Sequence, residues 1–212
     1  MFHVKVFKFS PIQENTYLLY NDTHKAIIID PGCYTIEEQE TLKKFINDNQ
    51  LEPVQLINTH CHLDHVFGND WVHKTFGLEL YIHPNEEKML AFAPKSGENW
   101  GLPFINYTGP LHFINQENTI SLGEDQLSIR FTPGHSPGSI SFYCAEQGFI
   151  ISGDVLFYES IGRTDLPMAA YEQLIDSIKG QIFSLPDEVI VYSGHGRPTT
   201  VGHERKNNPF IS

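Results

Sequence analysis

Thr59-His60-Cys61-His62-Leu63-Asp64-His65 is the most informative stretch of this 212-residue chain. Three imidazoles and one carboxylate fall within six residues, directly after a predicted strand. This spacing is typical of metal ligands. In a turn, the first two histidines can point to one side while the aspartate and the last histidine reach a second point nearby. The stretch therefore predicts two adjacent ion positions.

Two neighbouring ions need more ligands than one turn supplies, and three later segments can provide them. Each segment has a His or an Asp beside a glycine at the end of a predicted strand, and glycine lets the backbone bend sharply there. The segments are Thr132-Pro-Gly-His135-Ser-Pro-Gly, Ser152-Gly-Asp154-Val and Tyr192-Ser-Gly-His195-Gly. The predicted metal ligands are His60, His62, Asp64, His65, His135, Asp154 and His195.

Hydrophobic periodicity predicts two β-rich halves with outer helices. Strands are predicted over residues 4–9, 16–20, 26–30, 54–58, 80–83, around 120, 126–131, 139–144, 149–152 and 189–193. Helices are predicted over residues 36–49, 69–76, from 84, and over 170–183, with an irregular loop over 93–110. We expect an α/β or α+β fold in one domain over residues 1–212, with two sheets packed face to face under covering helices.

Composition excludes several classes of partner. Lys plus Arg total 14 against 26 Asp plus Glu, a net charge of −12, which disfavours nucleic acid and a nuclease function. No apolar run approaches the roughly 18 residues of a membrane span. Three cysteines without Cys-x-x-Cys spacing, and no signal for export, predict a cytoplasmic protein. A small-molecule substrate is expected, and the oligomeric state stays open.

The motifs resemble those of metallo-β-lactamase-fold hydrolases, most closely the glyoxalase II (hydroxyacylglutathione hydrolase) branch. Besides the ligand segments, the resemblance includes Asn15-Thr-Tyr17, Asp30-Pro-Gly32 and the run from Thr199-Thr-Val-Gly to Asn208-Pro-Phe210. It implies a four-layer αββα sandwich. It also implies one ion on His60, His62 and His135, a second on Asp64, His65 and His195, and Asp154 as a bridge between them.

The function implied is hydrolysis of a thioester such as S-lactoylglutathione by a hydroxide that bridges two divalent ions. Zinc is the first expectation, with iron or manganese as alternatives. A thiolate leaving group needs little protonation, so no general acid is required. Asp64 is expected to orient the water or accept its proton. Arg163 is the candidate anchor for a substrate carboxylate, unless it forms a structural pair with Asp165.

Alternatives within the same fold stay open. Glyoxalase II enzymes continue into a helical domain that helps bind glutathione, whereas this chain stops soon after Phe210. The run Ile161-Gly-Arg163-Thr-Asp165-Leu-Pro167 resembles short glyoxalase II-like proteins and persulfide dioxygenases, which would hold one iron on His60, His135 and Asp154. A lactonase or β-lactamase is a further alternative, although His65 directly after Asp64 argues against β-lactamases proper.

Overall fold

The computed structural model describes residues 1–211 and divides them into two compact units. The first unit comprises Met1–Ile114 and Ser121–Asp125, and the second comprises Asn115–Ile120 and the chain from Gln126 onward. No helix within the described residues is both long enough and apolar enough to cross a membrane. A single domain over residues 1–212 stays a prediction.

Strands and helices are interspersed along the described chain. The strands are β1 (His3–Phe9), β2 (Glu14–Tyr20), β3 (Lys25–Ile29), β4 (Glu52–Ile57), β5 (Leu80–Ile82), β6 (Leu111–Phe113), β7 (Thr119–Leu122), β8 (Asp125–Phe131), β9 (Ile140–Cys144), β10 (Phe149–Gly153), β11 (Leu156–Phe157), β12 (Ser160–Ile161), β13 (Ile190–Ser193) and β14 (Thr199–Thr200). The α-helices are α1 (Ile36–Asp48), α2 (Leu63–Val66), α3 (Asn69–Phe76), α4 (Glu87–Trp100), α5 (Tyr171–Ser177) and α6 (Val201–Asn207). Pro84–Glu86 forms a 3-10 turn, and Ile178–Ile182 forms a π-helical turn.

The first sheet has the strand order β1-β2-β3-β4-β5-β6 and mixes two pairing directions. β1, β2 and β3 pair antiparallel, whereas β3 to β6 pair parallel. The last four residues of β3, from Ala26 to Ile29, are fully buried, as expected for a parallel strand covered on both faces. α1 connects β3 to β4, and the histidine-rich stretch follows the end of β4.

A capping box fixes the start of α1. The side chain of Thr35 accepts a hydrogen bond from the backbone N–H of Glu38, and the Glu38 carboxylate accepts one from the backbone N–H of Thr35. Two buried residues, Leu42 and Ile46, lie one turn apart and pack on the core of the first unit. The predicted helix over residues 36–49 is thereby confirmed to within one residue.

The second sheet has the strand order β14-β13-β10-β9-β8-β7. Its centre is β10, which is buried along its whole length and pairs parallel with β13 and antiparallel with β9. The register of β10 against β13 shifts between Ile151 and Gly153. Asp154 follows directly after this irregularity, so its side chain leaves the sheet where regular pairing ends.

The predicted irregular loop over residues 93–110 is wrong in its first part, because α4 continues to Trp100. Pro94 lies inside this helix and cannot donate a hydrogen bond to the carbonyl of Leu90 four residues earlier. The side-chain amide of Asn106 donates to that carbonyl instead, at 2.8 Å. A side chain from outside the helix therefore provides the donor that the proline lacks. The proline is what makes a helix improbable from the sequence.

Other differences concern short elements. The stretch over residues 59–65 was predicted as a loop, but its last residues begin the single turn of α2. The predicted helix over residues 170–183 is regular only to Ser177 and then widens into the π-helical turn. β6, β11, β12, β14 and α6 were not predicted, because elements of two to seven residues carry too little periodicity.

We expect Asn106→Ala to lower the free energy of unfolding by about 1–2 kcal/mol, because the Leu90 carbonyl loses its donor. In a Pro94→Ala background the backbone N–H at position 94 can donate to the same carbonyl, so the same change should cost less. A double-mutant cycle by urea unfolding measures this coupling. Additive effects of the two substitutions would show that Asn106 does not compensate for the proline.

Candidate metal centre

In the first unit, the predicted ligands His60, His62, Asp64 and His65 lie on the turn after β4 and on α2. His60 and His65 are fully buried, and Asp64 is 7 % exposed. The ring centroids of His60 and His62 are 4.9 Å apart, and those of His60 and His65 are 4.1 Å apart. The structure thus brings the three imidazoles of the histidine-rich stretch together.

The carboxylate of Asp30, at the end of β3, forms hydrogen bonds that support this histidine cluster. Its carboxylate accepts hydrogen bonds from the Thr59 backbone N–H at 2.7 Å and the Thr59 hydroxyl at 2.5 Å. It also lies 3.0 Å from Nδ1 of His65. Asp30 is buried and has a φ of 50°, a region that few non-glycine residues adopt. The strained backbone conformation thus occurs at the residue that orients the histidines, as is common at functional sites.

These hydrogen bonds determine which ring nitrogen of each histidine carries the proton. The Thr59 hydroxyl gives its only proton to Asp30, so toward Nδ1 of His60, at 3.1 Å, it can only accept. A carboxylate also only accepts, so Nδ1 of His65 is the donor toward Asp30. Both rings therefore carry the proton on Nδ1 and the lone pair on Nε2, which is the tautomer that binds a metal through Nε2.

In the second unit, the structure brings together the other three predicted ligands. Oδ2 of Asp154 lies 3.6 Å from Nε2 of His135 and also 3.6 Å from Nε2 of His195. Nδ1 of His135 lies 2.9 Å from the carbonyl oxygen of Arg163, which only accepts. His135 therefore has the same tautomer as His60 and His65.

The donor atoms of the second unit fit a metal ion better than a hydrogen bond. A separation of 3.6 Å is too long for a good hydrogen bond. Two ligand atoms on one tetrahedral zinc ion, each bound at about 2.0–2.1 Å, lie about 3.3 Å apart. One carboxylate oxygen near two imidazole nitrogens is the arrangement expected of a bridging aspartate.

Glycines beside the ligands have the conformations that the sequence predicted. Gly134, before His135, has a φ of 134°, and a Cβ there would lie 2.3 Å from the backbone nitrogen of Leu174. Gly153, before Asp154, has a φ of 54°. Most other residues would be strained at both positions, and at Gly134 any side chain would also collide with α5.

Three buried carboxylates that support the first unit were not predicted as functional residues: Asp30, Glu14 and Glu86. Oε1 of Glu14 lies 3.9 Å from Nδ1 of His65, and burial raises the pKa of its carboxyl well above the usual value. Oε2 of Glu86 accepts a hydrogen bond from the Cys61 backbone N–H at 2.7 Å, between the first two histidines. Asp30 belongs to a motif singled out in the sequence, whereas nothing in the sequence links Glu86 to the histidines.

Arg163 lies in the second unit after the hairpin of β11 and β12. Its guanidinium makes two parallel hydrogen bonds to Asp165, Nε to Oδ1 at 2.9 Å and Nη2 to Oδ2 at 2.8 Å. The hydrogen bond to Asp165 raises the pKa of Arg163 and lowers that of its partner. The structural pair is therefore present, while the role of Arg163 as a substrate anchor stays a prediction.

Comparison with known proteins identifies the fold family. Residues 10–195 match the pattern of the Metallo-beta-lactamase superfamily. The chain belongs to this superfamily. It has the metallo-β-lactamase fold, with two mixed sheets and flanking helices in the αββα arrangement, and the predicted fold class is confirmed. As a member of the superfamily, it is a metal-dependent hydrolase.

Three relatives within the metallo-β-lactamase superfamily are informative. Hydroxyacylglutathione hydrolase GloC of Haemophilus influenzae is 37 % identical over 212 residues, covering 99 % of this chain and 98 % of the relative. The crystal structure of BLEG-1 B3 metallo-β-lactamase is 39 % identical, with a TM-score of 0.90, and the match covers 99 % of this chain and all of that one. TTHA1623, solved in a di-iron-bound form, is 34 % identical, with a TM-score of 0.88, over 98 % and 100 % of the two chains.

We expect Asp30→Asn to weaken zinc binding by about 10-fold to 100-fold, as for other residues that orient metal ligands. Asparagine tolerates a positive φ, so the backbone is retained. Its amide, however, can present a donor to Thr59 and His65, which already donate. Competition with a chromogenic zinc chelator measures the affinity, with the exposed Asp22→Asn as the matched control. An affinity equal to that of the control would contradict this role of Asp30.

Proposed function

We propose that the chain is a binuclear metallohydrolase of thioesters, with S-lactoylglutathione as its model substrate. Within this proposal, His60, His62 and His135 hold one ion, Asp64, His65 and His195 hold the other, and Asp154 bridges them. The observation that carries the proposal is that Nδ1 of each of His60, His65 and His135 faces an oxygen that can only accept there, which assigns the proton to Nδ1 and the lone pair to Nε2. Superfamily membership supports combining the ligands of the two units.

The choice of thioester rests on the relative named hydroxyacylglutathione hydrolase, which matches this chain over almost its full length. A thioester is also the substrate that best suits the residues present. Its thiolate leaving group has a pKa near that of cysteine, about 8.5, and leaves without a general acid. Hydrolysis of a thioester therefore requires only a nucleophile, a proton acceptor and residues that orient the carbonyl.

When bound, two divalent ions supply a hydroxide nucleophile near neutral pH and polarise the carbonyl under attack. The residues of the chain set the geometry of that step. In this proposal Asp64, which is 7 % exposed, would accept the proton of the attacking water, because an ionised carboxylate accepts hydrogen bonds and protons and cannot donate. Oδ2 of Asp64 lies 3.9 Å from Nε2 of His65, so the two side chains face the same point.

The identity of the metal is part of the proposal. Nitrogen and carboxylate donors suit zinc, and they also suit iron and manganese. The di-iron-bound form of TTHA1623 makes iron the stronger alternative for this chain. A cytoplasmic location stays a prediction from the cysteines and the N-terminal sequence, and the absence of a nucleic-acid partner stays a prediction from the net charge of −12.

We expect the zinc-reconstituted protein to release thiol from S-lactoylglutathione and His62→Ala to abolish this activity, because a ligand is lost. Thiol release followed with a colorimetric thiol reagent measures it. His3→Ala is the matched control and should retain full activity. It removes a half-exposed imidazole that is distant in sequence from the proposed ligands. No thiol release with zinc, iron or manganese would reject the thioesterase proposal.

A β-lactamase activity is the second candidate function, because the chain is 39 % identical to a protein described as a B3 metallo-β-lactamase. This likeness weighs against the argument from His65 after Asp64. Hydrolysis of a chromogenic cephalosporin by the same metal-loaded samples separates the two functions. Turnover of the cephalosporin without thiol release would favour a β-lactamase. Oxygen consumption with a persulfide by the iron-loaded protein would favour the dioxygenase alternative instead.

A further inference from the structure

Two arginines of the second unit follow proposed ligands closely in sequence, and their surroundings differ. The guanidinium of Arg163 is neutralised by its two hydrogen bonds to Asp165. Cζ of Arg197 lies 3.6 Å from the centroid of the Tyr158 ring. Within residues 1–211, Arg197 therefore contacts an aromatic ring where Arg163 contacts a carboxylate. An aromatic face holds a guanidinium in place. The Arg197 guanidinium also makes a side-chain hydrogen bond to Tyr158, which uses part of its five N–H donors.

The ring that supports Arg197 is itself held in place. The Tyr158 and His203 rings stack, with centroids 4.9 Å apart and planes inclined by 17°. Nε2 of His203 lies 3.0 Å from Oε1 of Glu159. The pKa of the Glu159 carboxyl is lowered by its hydrogen bonds to Tyr158 and His203 and, more weakly, by the charge of Arg197. Glu159 is thus engaged mainly by the stack and not by the arginine.

The turn that carries Tyr158 is anchored to the interior of the second unit. Glu204 is fully buried, and its Oε2 accepts hydrogen bonds from the Glu159 backbone N–H at 2.9 Å and from the Asn208 side-chain amide at 2.8 Å. The same amide donates to the carbonyl of Ser160 at 3.0 Å. The platform under Arg197 is therefore preorganised rather than a flexible surface loop.

This platform lies beside the proposed metal ligands. Arg197 is two residues after His195, so their Cα atoms are at most about 7 Å apart. Phe157, next to Tyr158, has its ring centroid 6.3 Å from that of His195. The hairpin that presents both aromatic residues begins two residues after Asp154. Arg197 is therefore close to the proposed ligand His195 both along the chain and in space.

We propose that Arg197, held on the Tyr158 ring, is the anion-binding residue of the site and selects thioesters whose leaving thiol carries a carboxylate. The proposal rests on the thioesterase function proposed above. A guanidinium binds a carboxylate through two parallel hydrogen bonds, and Arg197 can offer them without first breaking an ion pair. Arg163 would have to release Asp165 before it could do the same.

The test compares S-lactoylglutathione with its dimethyl ester, which keeps the thioester and removes both carboxylates of the thiol. We expect the wild-type protein to prefer the anionic substrate in kcat/KM by about 10-fold to 100-fold. Arg197→Gln should remove this preference, chiefly by raising KM for the anionic substrate. Tyr158→Leu should reduce the preference partly. Lys206→Gln removes an exposed charge of the same unit and is the matched control.

Three results would overturn the assignment: equal rates on both substrates in the wild type, a preference retained in Arg197→Gln, or a preference lost only in Arg163→Gln. Zinc content, measured for every variant, should stay equal to wild type. If neither the wild type nor any variant releases thiol, the thioesterase proposal fails. The assignment of Arg197 is then tested by measuring glutathione binding by calorimetry. Weaker binding by Arg197→Gln than by wild type would support the anion site, and equal or undetectable binding in both would reject it.

Discussion

The buried carboxylate of Asp30 is the constraint on which the first unit depends. A charge removed from water is tolerated only when hydrogen bonds surround it, and Asp30 meets this demand through Thr59, Asn58 and His65. The donors belong to the residues that lead into and out of the histidine-rich turn. Satisfying the charge therefore also fixes the course of the backbone and the tautomer of two histidines. The stability of the turn and its ability to bind a metal have the same cause.

Much of the fold could be predicted from the sequence because it depends on local information. The helix α1 has its capping residues and its apolar face within one segment, and α3 was predicted at the bounds that the structure shows. The extension of α4 to Trp100 could not be predicted in the same way. It depends on Asn106, a residue outside the helix, which satisfies the carbonyl that Pro94 leaves without a donor. Local patterns fail where a side chain from another segment decides the outcome.

The candidate site shows the same difference between features set by local sequence and features set by contacts with other segments. The proposed ligands of each unit could be selected from the sequence because these side chains have short spacings or stand beside glycines at strand ends. The residues that orient them could not be selected in this way, since Asp30 meets His65 across 35 positions and Glu86 meets Cys61 across 25. An acidic residue in the first turn of a helix, such as Glu86, has an ordinary explanation in the sequence. Only the structure shows that its carboxylate supports a ligand loop.

The second unit also contains a buried carboxylate that is surrounded by hydrogen-bond donors, that of Glu204. Glu204 is as deeply buried as Asp30, and it accepts hydrogen bonds from the Thr199 hydroxyl at 2.5 Å, the Glu159 backbone and Asn208. These donors connect α6 with the hairpin that follows Asp154. Because loss of any donor leaves a buried charge less well solvated, at a cost of about 1–3 kcal/mol, the carboxylate opposes movement of the hairpin. Each unit thus contains a buried carboxylate that stabilises the geometry of its own segment of proposed ligands, Asp30 in the first unit and Glu204 in the second, so the precision of the site does not depend on the ligands alone.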